Sequence, residues 1–377
     1  MFKHYVSFAR LAARDVLGLR SRVGSPAEHL TAAESWLKRA HDRQEHGGDD
    51  GVSYGYSVRG GWRPSYRETS GYICTTFFNL ARNRQDQDFF QRAVRIAQWL
   101  VRIQNPDGSI ANPRYGKEGI VFDTGQVLFG LVRAYEETRR TEFKQAAERA
   151  AAWLVRIADN QGLWTRNEHL NTAHVYNTRS AWALLRMNEV EYHPERERIA
   201  RANLDWAVRE QQASGFFDNC AFVKGTAPFT HTIAYATRGL LESGLLLKDD
   251  AYINSARRCA EAAMHHLGAD GFIPGQISVE GQAAARYNCV TGNCQFAISW
   301  FILFNLTGHE PFRRAAVQAL DYVMTTQDID TTDFDIRGAI RGSFPIWGRY
   351  APFSFPNWPS KFFVDAMWLR QQVGEHP

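Results

Sequence analysis

The feature that most constrains this chain is a two-helix pattern that recurs six times along it. Each copy is an amphipathic helix, a glycine-containing loop rich in polar and aromatic residues, and a second, more apolar helix. The first helices include AAESWLKRA, FFQRAVRIAQWL, FKQAAERAAAWL, RERIARANLDWAV, INSARRCAEAAM and FRRAAVQALDYVM. The loop glycines are Gly51, Gly108, Gly162, Gly215, Gly271 and Gly338, mostly a little over fifty residues apart. A period of that length with two helices per unit predicts a closed, all-helical repeat.

The two helix types differ in where they belong. In Phe89–Gln104 the apolar residues Phe90, Ala93, Val94, Ala97, Leu100 and Val101 form one stripe opposite Arg92, Arg95 and Arg102. A helix with one wet face is an outer helix. In Gly125–Tyr135 almost no polar face remains, so that helix is covered on all sides and is an inner one. Alternating them six times predicts an all-α (α/α)6 toroid over residues 27–377, preceded by an N-terminal amphipathic helix over residues 1–26. All inner helices then begin at one mouth, beneath the six long loops. Free N–H groups and partial positive charge collect there, which makes it the expected ligand face.

Bulk properties exclude several classes. The net charge is only +4 on 377 residues, too weak to imply nucleic acid. The five cysteines show no CxxC spacing, so neither a zinc site nor a disulfide framework is expected. No cofactor or metal is expected, and no apolar run is long enough to span a bilayer. The basic, amphipathic MFKHYVSFARLAARDVLGLRSR suits either a lid helix on the toroid or peripheral contact with an anionic membrane. A cytoplasmic location, with or without contact at the inner membrane, is the corresponding expectation.

The long-loop mouth has a composition suited to sugars. Repeat one brings Tyr54, Tyr56, Trp62, Arg63, Tyr66 and Tyr72, and repeat two brings Gln126. Repeat three brings Trp164, Asn177 and Arg179, and repeat five brings Arg286, Tyr287 and Asn288. Repeat six brings Trp347, Tyr350, Trp358 and Lys361. Flat aromatic faces cover the C–H faces of sugar rings, amides serve hydroxyls, and Arg and Lys pair with acid groups. Glu68 and Asp123 each stand near an inner-helix start, where a carboxylate is favoured as a cap. As a pair on adjacent inner helices they are also the candidates for acid/base work. His174, Tyr176, His231 and Tyr235 form a second candidate set, able to move a proton to and from a carbon acid.

At fold level the chain resembles the six-hairpin glycosidase superfamily and the terpenoid-cyclase and prenyltransferase toroids. GWRPSYRETSGYI (Gly61–Ile73) and FDTGQVLFGLVRAYEET (Phe122–Thr138) resemble prenyltransferase-like toroid proteins of bacterial exopolysaccharide gene clusters. The second stretch is also similar to unsaturated-glucuronyl hydrolases and to glucuronyl C5-epimerases. QNPDGSI (Gln104–Ile110) is similar to the Q-x-x-D-G-S-W repeat of squalene cyclases, with Ile110 in place of Trp. DIDTT (Asp328–Thr332) resembles the cyclase acid motif but lacks its third Asp. Cys289 and Cys294 lack the matching Asp and His of a prenyltransferase zinc site.

The resulting expectation is a carbohydrate-active enzyme that processes a bacterial exopolysaccharide or its oligosaccharide precursor, anionic or neutral. Glycoside hydrolysis by Glu68 and Asp123 is the favoured mechanism. Abstraction of a uronate C5 proton, by a lyase or an epimerase, is the alternative. A terpenoid-cyclase-like enzyme and a non-catalytic glycan-binding scaffold are the further ones.

Overall fold

The computed structural model describes residues 11–21, 23–43 and 49–374. The first ten residues of the expected N-terminal helix lie outside them. Among the described residues, six helical hairpins follow one another: α1 (Pro26–Asp42) with α2 (Arg67–Arg84), α3 (Gln87–Ile103) with α4 (Val121–Thr138), α5 (Thr141–Ile157) with α6 (Thr178–Val190), α7 (Pro194–Arg209) with α8 (Thr230–Leu247), α9 (Asp250–Met264) with α10 (Val290–Thr307), and α11 (Glu310–Thr326) with α12 (Asn357–Gly374). Odd-numbered helices form the outer ring and even-numbered helices the inner one. In α3, Phe89, Ala93, Val94, Ile96, Ala97 and Leu100 are buried while Gln91 and Arg95 are exposed. In α4 every residue from Val121 to Val132 is buried. Period and burial agree because a wet stripe survives only on a helix with one open side.

Local chemistry sets the helix ends. α1 starts on a Ser25–Glu28 capping box with Pro26 in its first turn, and α3 and α9 start on Asp86 and Asp249, whose side chains accept backbone N–H bonds. Inner helices stop abruptly where Gln85, Arg139, Lys248 and Gly308 adopt left-handed backbone, and two- or three-residue turns lead back outward. The strands are short. β1 (Gly55–Ser57) pairs antiparallel with β2 (Gly61–Trp62) and with β5 (Ser354–Pro356), and β3 (Asn288–Cys289) pairs with β4 (Ser343–Phe344). The first sheet joins the loops of the first and last repeats.

The loop glycines stitch the outer ring. At Gly108 φ is +94°, and a Cβ would lie 2.2 Å from the Arg149 carbonyl oxygen on α5. At Gly338 φ is +80°, and a Cβ would lie 2.3 Å from the Ala32 carbonyl oxygen on α1. A glutamine accompanies each contact. Gln104 Nε2 donates to the carbonyls of Gly108 and Ala146, both at 2.9 Å. Gln327 Nε2 donates to those of His29 and Gly338, at 3.2 and 2.7 Å. The last repeat thus seals against the first with the same device that joins its predecessors, and the ring closes.

Residues 11–21 are pinned to repeat six. Asp15 accepts both a two-point contact from Arg341 Nη1, at 2.8 and 2.9 Å, and the Ile346 N–H at 2.7 Å. Arg14 pairs with Asp328 at 2.9 Å. No helix among the described residues is long and apolar enough to cross a membrane.

Candidate active site

The long-loop mouth gathers three carboxyls. Glu68 and Asp123 stand in the first turns of neighbouring inner helices, α2 and α4. The third, Glu168, lies in the loop before α6. That loop bends through left-handed backbone at Asn167, Leu170 and Asn171, and Asn167 ties it to repeat two through Val121 N (2.8 Å) and the Gly119 carbonyl (2.9 Å). Glu168 is thereby laid over the start of α4. Its Oε1 accepts the His169 N–H at 2.9 Å, and its Oε2 accepts Asn177 Nδ2 at 2.9 Å. The Tyr176 hydroxyl stands 3.5 Å from Oε1, and the Phe122 N–H on α4 adds a further donor.

Asn112 connects the other two carboxyls. Its Nδ2 donates to Asp123 Oδ2 at 3.1 Å and lies 3.3 Å from the Tyr66 hydroxyl, which in turn bonds Glu68. Asp123 and Glu168 are almost wholly covered, at 4% and 8% exposure. Glu68 keeps partial solvent contact although its carboxyl is buried. Burial pushes Glu68 up to about 7, opposed by the Tyr66 bond and the charge of Arg179. Burial also raises Asp123 well above the usual carboxylate range, reinforced by the charges of Glu68 and Glu168. Glu168 is raised by burial and held back by its donors. Helix N-termini favour carboxylate charge, but here desolvation and like-charge repulsion win. Among the described residues no three potential ligands gather around one metal position.

An aromatic collar surrounds these carboxyls. Tyr54 lies between Tyr66 (centroids 5.2 Å) and Trp358 (4.9 Å, edge-on). Trp358 Nε1 donates to the Tyr350 hydroxyl at 2.8 Å, and Tyr350 packs on Phe229 at 5.2 Å and His231 at 5.0 Å. Phe222 carries the collar on to Tyr176, which meets Phe122. The imidazoles within it are committed. His174 stacks on Tyr176 at 4.7 Å while its Nε2 reaches the His169 carbonyl at 2.9 Å. His231 Nδ1 accepts Gln295 Nε2 at 2.7 Å, and burial, with Arg179 nearby, pushes it down to about 3.

Below the collar the lumen is plugged. Tyr72, Arg179, Tyr235 and Phe362, none more than 3% exposed, fill the waist. Arg179 lies 4.7 Å from the Tyr235 ring centroid, and Gln126 Oε1 accepts its Nε at 2.9 Å. Burial lowers Arg179 to about 10 and Lys361 to about 8, with Asp365 opposing the latter.

Several residues expected at the mouth are elsewhere. Tyr72, Gln126, Arg179 and Lys361 belong to the waist or below it, because they sit a turn or more along their helices or point inward from the first turn. Trp62 stacks on Trp36 at 5.5 Å and donates to Asp335, Tyr56 packs on Trp62, Trp164 donates to the Leu154 carbonyl, and Asn288 donates to Ile273 and Asn293. These four brace the loops, as buried polar groups in irregular backbone must. Tyr287 is tied to Gln276 at 2.8 Å. Arg63, Arg286 and Trp347 are exposed on loops. Tyr54, Tyr66, Tyr350 and Trp358 do join the collar, and Asn177 holds Glu168. The inventory of mouth residues omitted Glu168, which is neither in nor beside an inner-helix first turn. Its only sequence signal is an acid within a long loop.

The model of one family, the squalene-hopene cyclase C-terminal domain, matches residues 63–239. No curated protein matches the chain. Solved structures match it over nearly its whole length. The unsaturated glucuronyl hydrolase of Bacillus sp. GL1, responsible for the degradation of glycosaminoglycan, is 15% identical with a TM-score of 0.71, covering 92% of this chain and 95% of that one. Cellobiose 2-epimerase from Bacillus thermoamylovorans is 12% identical with a TM-score of 0.69, covering 91% and 97%. A D-mannose isomerase is 12% identical with a TM-score of 0.69, covering 92% and 97%. Likeness at these identities speaks for the backbone frame, and with the six closed hairpins it shows an (α/α)6 toroid fold.

Proposed function

We propose that this protein is a glycan-processing enzyme that cleaves a glycosidic bond with Glu68 and Asp123. The observation that carries the proposal is the cluster of three desolvated carboxyls on the floor of an aromatic collar. Glu168 is the most richly hydrogen-bonded of the three, and its donors favour the charged form against the burial that raises it. That charge keeps one proton on the Glu68–Asp123 pair near neutral pH. One member can then protonate the leaving oxygen while the other draws a proton from water. Tyr54, Tyr66 and Trp358 offer flat faces to sugar rings. Similarity of fold to a glucuronyl hydrolase and to sugar epimerases supports a sugar ligand, and an exopolysaccharide fragment is the substrate class we favour. Removal of a uronate C5 proton has less support, since His174 is spent on a loop carbonyl and His231 is too weak a base.

The test is incubation with acidic and neutral bacterial exopolysaccharide oligosaccharides, followed by assay of new reducing ends. Release by the wild type, lost in Glu68→Gln and Asp123→Asn, supports hydrolysis. New ultraviolet absorbance, or solvent deuterium at C5 without cleavage, would replace it with elimination or epimerisation.

A second reading has its own support in the family match over residues 63–239 and the aromatic collar, which would suit a carbocation. Against it, Asp328 of DIDTT shapes an outer loop, accepting the Thr331 N–H at 2.9 Å, and does not enter the collar. Conversion of a polyisoprenoid to cyclic products would favour this reading.

A further inference from the structure

Beneath the plugged waist a cavity of about 430 Å³ opens toward the short-turn mouth, within the size range of small-molecule sites. Its lining comes mostly from the later turns of the inner helices, with Arg179 reaching in from the first turn of α6, and carries Arg133, Arg179, Arg186, Arg238 and Lys361 around the indole of Trp182. Four of these cations have acid partners: Arg133 with Glu137 (2.7 Å), Arg186 with Glu136 (2.6 Å), Arg238 with Glu242 (3.1 Å), and Lys361 with Asp365. Arg179 has none. It is 2% exposed, its Nε is held by neutral Gln126, and its Nη1 has no hydrogen-bond partner. A buried guanidinium with an orphan N–H costs free energy unless something satisfies it. Phe129 packs on Trp182 at 4.5 Å and extends the apolar wall.

We propose that this lower cavity is a second ligand site, distinct from the carboxyl-lined mouth, that binds a small anionic sugar with its acid group on Arg179 and its ring against Trp182. The acid group is a carboxylate or a phosphate, since both match the fork of a guanidinium. The Tyr72–Arg179–Tyr235–Phe362 plug keeps this ligand from the reacting groups above, so the site serves binding or regulation. The proposal does not depend on the hydrolytic reading.

Calorimetric titration of the full chain with glucuronate, glucose 6-phosphate and glucose tests it. Wild type and Asp123→Asn should bind at least one of the two acids equally well and should not bind glucose. Arg179→Gln should weaken that binding about tenfold or more, and Arg186→Gln should weaken it several-fold. Tighter binding of glucuronate would identify a carboxylate ligand, and tighter binding of glucose 6-phosphate a phosphate ligand. Circular dichroism checks that the variants fold, and if Arg179→Gln does not, Arg186→Gln with its partner charge intact decides. Absence of acid binding at millimolar concentration, binding unchanged in the arginine variants, or binding lost in Asp123→Asn would each overturn the proposal.

Discussion

Asn177, which opens the third inner helix, donates its side-chain amide to Glu168 at 2.9 Å and so holds a third carboxyl over the Glu68–Asp123 pair. If Glu168 keeps a proton on that pair, its neutral amide should damage catalysis without touching substrate. Glu168→Gln should lower kcat by about 10²-fold, the lower end for loss of an acid or base, with little change in KM. Its acid limb should also move to lower pH, because the charge that raises Asp123 has gone. An unchanged pH profile would reduce Glu168 to a loop brace.

The carboxyl pair should set the pH range. Glu68 is raised from its ordinary value to about 7, so activity that needs its proton should decline as pH rises through about 7. Stability has the same sign. The protonated form is favoured in the folded state, so the full contribution is present below the unfolded value of 4.5 and is lost as pH rises through about 7. Glu68→Gln should therefore unfold later than wild type at pH 8, by on the order of 2–3 kcal/mol, and show little difference at pH 4. Urea titration at the two pH values checks this.

Ring closure should depend on Gly338. Alanine there meets both the left-handed φ of +80° and the Ala32 carbonyl at 2.3 Å. Gly338→Ala should cost about 2 kcal/mol or more, read as a lower denaturation midpoint. Gly60 faces open space, and Gly60→Ala should stay within about 0.5 kcal/mol of wild type.

The N-terminal segment carries the expectation of membrane contact. Val16 and Leu17 are 72% and 71% exposed on a segment that Asp15 and Arg341 anchor to the toroid. Co-sedimentation with anionic vesicles should be measurable, and Leu17→Glu should reduce it several-fold while leaving turnover on soluble oligosaccharides unchanged. Equal sedimentation of both proteins would leave residues 11–21 as a brace.

The chemistry of His231 and Tyr176 separates the remaining mechanisms. Under hydrolysis, His231→Ala and Tyr176→Phe should retain substantial activity, because neither supplies the proton or the base. If both fall by more than about 10²-fold while Glu68→Gln remains active, C5-proton chemistry replaces hydrolysis. Measurement of kcat/KM for the four single variants, Asp123→Asn included, decides it.

The sequence by itself determined the hairpins, their inner and outer ranks, and the mouth at which Glu68 and Asp123 meet. These follow from periodicity, because a stripe such as Ala93–Ala97–Leu100 can be buried on one side only, while Val121–Val132 must be covered on all. Periodicity carries no information on depth along the barrel or on contacts between repeats. Hence Arg179 and Lys361 were expected at the mouth but lie at the waist or beneath it, and Trp62 and Trp164 turned out to brace loops. Only the tertiary structure decided that Glu168 crosses to the neighbouring helix start. That placement depends on left-handed turns at Asn167, Leu170 and Asn171 and on bonds to Gly119 and Val121, residues about fifty positions away in the chain. The closed ring brings them together, and a charge placed there changes what its two neighbours can do.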